Sequence, residues 1–271
     1  MPLAEDSYGR AKRFDFICAS VSVARPRAIL DIGCGAGTQL TAPLAAAFPQ
    51  ISVIGVDEDA RSLAWARAHE TAGNLTFAAP DQLAPDRRFE LVIASEVLEH
   101  VADPADFLSQ LTARVAPEGR LVVTVPNGYG VFEWMALAEV LLNLSGIQAL
   151  LRRLKGGRSN SIEAAPATLA ISPHVNFFSF GELFRLFAAA GLAVERYRPR
   201  TVLCGYIVDS LLRHPRLVAW NARLADRLPS WCASDWMFEL RVLRPATPIG
   251  WRRGPWARLR KRLNERRWNV S

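Results

Sequence analysis

Along the first half of the chain, short apolar runs trade places with stretches of helical period. RAILDI (27–32), ISVIGVD (51–57), NLTFAA (74–79), FELVIAS (89–95) and RLVVTVP (120–126) are apolar nearly throughout. They read as strands covered on both faces. Between them, QLTAPLAAAF (39–48), ARSLAWARAHE (60–70) and PADFLSQLTARV (104–115) read as helices, and APEG (116–119) as a turn. Further on, FSFGELFRLFAAAG (178–191) adds a helix, while LAVERYRP (192–199) and WMFELRVLRP (236–245) add strands. Strands alternating with helices predict an α/β fold with a doubly wound, mostly parallel seven-stranded sheet. Residues 1–250 read as a single domain with helical insertions near 128–173 and 201–235, followed by a basic C-terminal tail, 251–271. Within the first insertion, KGGRSNSIEAAPA (155–167) reads as a polar, mobile loop.

Such sheets bind ligands beyond the carboxyl ends of their strands, and the first strand-to-helix turn here is ILDIGCGAG (29–37). Gly33, Gly35 and Gly37 let a ligand approach backbone N–H groups at the helix start. The third glycine comes one residue early for a dinucleotide fingerprint, and no Lys-Ser/Thr pair follows for a phosphate loop. Asp57 ends the second strand, 20 residues past Gly37, where a carboxylate can accept both hydroxyls of a ribose. Asp31 stands directly before the loop. It would repel a pyrophosphate and attract an ammonium; its plainer role is to cap the next helix. A ligand with an adenosine and a positive charge is S-adenosyl-L-methionine.

The same segments carry a resemblance. ILDIGCGAG, VIGVD, FELVIASEVLEHV and APEGRLVVTVPN stand in the order of the first, second, fourth and fifth-strand motifs of class I S-adenosylmethionine-dependent methyltransferases. The chain resembles that family over about residues 27–127, with a weaker likeness in SPHVNFFSFGELFRLFAAAGLAV, and looks most like its ubiquinone-biosynthesis O-methyltransferase branch. The resemblance implies a Rossmann-like methyltransferase fold, S-adenosyl-L-methionine as cofactor and methyl transfer as activity. It places Asp31, Gly33, Gly35 and Gly37 around the methionine part, Asp57 on the ribose, and Ser95 and Glu96 on the far wall. The family's adenine-binding aspartate is expected near Ala79. Here FAAPDQLAPD offers Asp81 two residues later as its substitute.

Methyl transfer to oxygen needs a base, since a neutral hydroxyl is a poor nucleophile. Of four histidines, His69 and His214 read as structural. His100 closes SEVLEH beyond the fourth strand, and His174 follows the first insertion, so both fall on the substrate side as candidate bases. Each could equally be a turn histidine bonded to backbone. Glu96, Glu99 and His100 stand at i, i+3 and i+4, and one helical turn would gather them. With His174 they offer ligands for a divalent ion, as in small-RNA 2′-O-methyltransferases, although no metal is expected from spacing alone.

Charge adds a second theme. The chain has 33 basic against 26 acidic side chains, net +7, and residues 252–271 alone account for all of it. The body is neutral, which disfavours a nucleic-acid methyltransferase. The intact glycine turn disfavours a non-enzymatic binding module. Four scattered cysteines suit reduced thiols in the cytoplasm, and the N-terminus has no apolar signal segment. The first insertion, VFEWMALAEVLLNLSGIQALLRRL, is apolar but interrupted by Glu133, Glu139, Asn143 and Gln148, as in a lid or monotopic helix rather than a membrane span. In the tail, a helix from Pro255 would align Trp256, Leu259 and Leu263 as an apolar stripe among arginines. That pattern predicts a peripheral anchor on an anionic membrane surface. The acceptor expected is therefore a small or lipid-linked apolar molecule.

Overall fold

The structure is a computed structural model, and it describes residues 5–6, 8–144, 174–204, 212, 214–244 and 250–268. The polar loop expected at 155–167 lies outside the described residues. Seven strands form one sheet: β1 (Ala28–Ile32), β2 (Ser52–Val56), β3 (Leu75–Ala78), β4 (Phe89–Ser95), β5 (Val115–Pro126), β6 (Leu192–Pro199) and β7 (Asp235–Val242). Their order is β3-β2-β1-β4-β5-β7-β6. The first five are parallel, and β7 runs antiparallel between β5 and β6. Every strand read from the sequence is present. APEG is no free turn but the irregular start of β5, with Glu118 at φ 61.

Eight helices accompany the sheet among the described residues: α1 (Arg10–Ala24), α2 (Thr41–Ala47), α3 (Ala60–His69), α4 (Pro104–Arg114), α5 (Val131–Leu144), α6 (Phe180–Ala189), α7 (Pro215–Ala225) and α8 (Pro255–Trp268). Leu108 and Leu111 of α4 join Leu183, Leu186 and Phe187 of α6 in the core on one face. Phe16, Ile17 and Val21 of α1 and Leu44 of α2 fill the other face against Ile29, Val53 and Ile93. Caps mark several starts: Asp103 accepts from Ala105 and Asp106, and Ser179 with Glu182 forms a capping box. His214 caps the start of α7 rather than closing a helix, since its Nδ1 accepts from the Arg216 N–H.

The C-terminal helix does form from Pro255, but it packs on α5 by an unexpected face. Leu259 is half exposed, whereas Arg260 is 2% exposed. Among the described residues no helix is long and apolar enough to cross a membrane.

Candidate functional site

Strand order reverses between β1 and β4, and the crevice at that switch point is where doubly wound sheets bind ligands. A cavity of about 380 Å³ opens there. Its floor is Asp31 and the loop from Gly33 to Leu40; Ser95, Glu96, Glu99 and His100 line it beyond β4. Tyr8 and Arg13 close it from the α1 end, and Phe132, His174, Arg200 and Asp235 from the insertions and β6–β7 side.

The loop needs its glycines. Gly33, Gly35 and Gly37 have φ of 75, 54 and 76°, a region costly to side chains. A Cβ on Gly33 would run into Val97, and one on Gly37 would lie 2.5 Å from Phe77 Cζ. A Cβ on Gly35 would meet nothing within 4 Å. Gly33 and Gly37 hold the loop against the body, while Gly35 presents bare backbone to the cavity.

Two expected cofactor residues stand apart from the cavity lining. Asp57 lies at the end of β2, where its Oδ2 accepts from the Gly35 N–H at 2.7 Å and its Oδ1 from Asp59 N–H at 2.8 Å. It braces the loop, because exposed N–H groups at a strand end draw the nearest carboxylate. Asp81 sits in a short 3₁₀ turn, Pro80–Gln82, on the exposed surface. Asp31 is buried at 2% exposure, and burial raises its carboxyl to about 7. Its Oδ2 accepts from Thr41 Oγ1 at 2.7 Å, so it reaches the start of α2 through a side chain and not as a backbone cap.

The 96–100 segment is a turn, not a helix. It still brings the chemistry together, because the Glu99 carbonyl accepts from the N–H groups of Val175 and Asn176 at 2.9 and 3.0 Å. Asn176 Nδ2 adds donations to the Leu98 and Val101 carbonyls. The His100 and His174 rings meet edge to face, with centroids 4.9 Å apart. Ligand atoms of Glu99, His100 and His174 all lie within 4.8 Å of one another. Glu96 is drawn off this group: Arg200 pairs with it at 3.3 Å and with Asp235 at 2.6 Å. Burial would raise the Glu96 carboxyl, but Arg200 and Arg13 outweigh it and hold it below the usual range. Burial, then the Glu96 charge, raises Glu99 to about 8. Burial would lower His174, but Glu133 outweighs it and raises the imidazole to about 9.

This set fits a divalent ion. Glu99 Oε2 is buried without a hydrogen-bond partner, and the donors are a carboxylate and two imidazoles. His174 Nδ1 is bonded to Glu133 at 2.5 Å, the carboxylate support that metal-binding histidines commonly carry.

Sequence reasoning missed Arg13, Glu133, Arg200 and Asp235. All four are buried charges, and only their partners distant in sequence give them away.

Comparison with known proteins places the chain by family and by fold. A ubiquinone biosynthesis O-methyltransferase of Rhodopseudomonas palustris (strain TIE-1) is 33% identical over 150 residues, 54% of this chain and 55% of that protein. One from Bradyrhizobium diazoefficiens is 36% identical over 133 residues, 48% and 49% of the two chains. The match thus spans about half the length of these relatives. In fold, the N-methyltransferase NodS of Bradyrhizobium japonicum WM9, solved with S-adenosyl-L-homocysteine, superposes with a TM-score of 0.52 at 16% identity, over 88% of this chain and 89% of its own. The methyltransferase domain family matches residues 9–197, most of the described sheet with its glycine loop, and the chain belongs to that family.

Proposed function

We propose that this protein is an S-adenosyl-L-methionine-dependent O-methyltransferase whose acceptor is an apolar, lipid-linked hydroxyl compound. The observation that carries the reading is one cavity joining the glycine loop to the Glu99–His100–His174 cluster. The loop suits the cofactor: Gly35 admits close approach, Asp31 faces the ammonium of its amino-acid end, and Arg13 is the cation for its carboxylate. When bound, the cofactor supplies an electrophilic methyl group on a sulfonium. The chain's own residues do the rest. They align the acceptor oxygen, exclude water, and take its proton at His100, or at His174 in the fraction of the enzyme whose imidazole has first given up its own proton. A divalent ion on Glu99, His100 and His174 would make the acceptor hydroxyl more acidic.

Asp57 is proposed to hold the ribose hydroxyls, and it also braces Gly35. Asp81 is proposed for the adenine side of the same site, and Ser95 and Glu96 for its far wall. Oxygen methylation follows the printed activity of the relatives, whose products belong to ubiquinone biosynthesis. An apolar, membrane-held acceptor fits the exposed Val131, Trp134 and Leu141 of α5, the helix whose Phe132 lines the cavity. Beside them, Leu259 is exposed and Arg252, Arg258, Lys261 and Arg262 edge a shallow basic cleft. Apolar and basic groups together suit anionic headgroups. The test is labelled cofactor with anionic vesicles made from a cell lipid extract, beside total RNA. Label should enter the lipid phase, with protein that pellets with the vesicles at low salt and is released at high salt. Label in RNA alone, or protein left in the supernatant, overturns the lipid reading.

The buried Asp31 gives a pH dependence to the cofactor step. Only its ionised form attracts an ammonium, and its carboxyl titrates near 7. Affinity for S-adenosyl-L-homocysteine should therefore be highest above pH 7. It should fall by up to about tenfold per unit below it, until the bound-state titration is reached. In Asp31→Asn the calorimetric profile should be weak and flat through the same range. Affinity that improves on acidification would remove Asp31 from this role.

A further inference from the structure

We infer that Arg260, on the C-terminal helix, is a positioning residue for the reaction: it fixes Glu133, and Glu133 fixes His174 in the cavity wall. This rests on the methyltransferase reading above and assigns a task to the tail within it. Arg260 Nη2 lies 2.7 Å from Glu133 Oε2 and donates to the Glu133 carbonyl at 2.7 Å. Its Nη1 donates to the Gly128 carbonyl at 3.3 Å, and its guanidinium lies 4.2 Å from the centre of the Phe177 ring. The other Glu133 oxygen bonds His174 Nδ1. With Nδ1 committed, Nε2 is the nitrogen left for chemistry.

The same segment grips the backbone around His174. Asn264 Nδ2 donates to the His174 carbonyl at 3.0 Å, Arg253 Nε to that of Val175 at 3.0 Å, and Trp251 Nε1 reaches Asn176 Oδ1 at 3.3 Å. Three consecutive residues of the site are thus tied to the C-terminal segment, and the histidine side chain is tied to it through Glu133. Stability does not explain this arrangement. A buried ion pair is often no more stable than well-packed apolar groups of the same volume. What apolar groups cannot do is orient an imidazole.

That difference sets the experiment on the full-length protein. Arg260→Met breaks the pair, and the double variant Glu133→Leu/Arg260→Met replaces it with apolar volume and leaves no unpaired charge. Both should keep cofactor affinity and acceptor KM near wild type while kcat falls about 10- to 100-fold, the usual cost of losing a supporting partner. The double variant should melt close to wild type, and Arg260→Lys should recover much of the rate. Ring ¹⁵N spectra give a readout independent of turnover. His174 should show a hydrogen-bonded Nδ1–H signal in wild type that is lost or broadened by exchange in the double variant. Unchanged ring spectra in a folded double variant overturn the positioning role, whatever the activity. Wild-type protein without methyl transfer, but with the expected ring change, would fault the activity reading and leave the positioning role intact.

Discussion

His174→Ala is expected to bind S-adenosyl-L-homocysteine almost as wild type does and to transfer methyl about 10²–10⁴ times more slowly, the usual worth of a positioned base. His174 stands on the proposed acceptor side of the cavity, against His100 and Phe132 and away from the glycine loop's own contacts. Its loss should spare cofactor binding and remove one of the two imidazoles proposed to handle the acceptor proton. A chelator arm separates the two ways this can happen. If His174 acts as a base alone, a chelator leaves the wild-type rate unchanged. If Glu99, His100 and His174 hold an ion, a chelator abolishes the rate and added divalent metal restores it in wild type, with weaker rescue in the variant. A variant that turns over at the wild-type rate would pass the proton step to His100.

The inner strands were legible because they are covered on both faces. Ile29, Leu30, Leu91, Val92, Ile93 and Val122 are fully buried, so apolarity marked those strands, whereas the edge strands β3 and β6 are only partly covered. Helix α1 was not legible. Its inward face includes Lys12, Arg13 and Ser20, which break the apolar period. Lys12 is satisfied by the Ala222 carbonyl at 2.6 Å and by Asp226 at 2.9 Å, one on α7 and the other capping its end, some 200 positions away. Nothing near Lys12 in the chain announces that partner. Helix α8 shows the same effect in a sharper form. The sequence sets Arg260 among the arginines around the membrane-facing stripe of Trp256, Leu259 and Leu263, yet Arg260 is buried together with Ala257. Tryptophan 256 instead meets Trp134 with ring centres 5.7 Å apart.

The site divides along a similar line. The loop glycines, Asp31, Ser95, Glu96, His100 and His174 were all placed on one cavity by local signals: a turn after a strand, or a residue just past a strand end. Helical spacing was the wrong reason for grouping Glu96, Glu99 and His100. The segment is a turn, and its backbone ties to residues 175–176 gather Glu99 and His100 with His174, while Arg200 takes Glu96. Such contacts join residues more than 70 positions apart, and a single sequence carries no signal of them.

The glycine loop yields the other large effect, and a pair of variants resolves it. In Gly37→Ala, the new methyl would lie 2.5 and 2.7 Å from Phe77 Cζ and Cε1, on a backbone at φ 76°. Phe77 is buried in the cluster with Leu63 and Ala66 and has little room to yield. The left-handed conformation costs a side chain about 1–2 kcal/mol and overpacking about 1–3 more. The loop should escape by shifting, and it has ties to lose: Gly37 N–H to the Cys34 carbonyl, and the Gly37 carbonyl to Ala42 N–H, both at 2.9 Å. A loss on the order of 2–5 kcal/mol, shared between folding and binding, should lower the melting temperature and weaken S-adenosyl-L-homocysteine at least about tenfold. Gly35→Ala should separate these effects. Its methyl meets no protein atom and projects where the ligand must approach, so only the modest backbone cost falls on folding while affinity is lost. Calorimetry beside thermal melting reads both quantities. If Gly35→Ala binds the ligand as tightly as wild type, the ligand does not pass over Gly35, and the glycine loop is a structural turn alone.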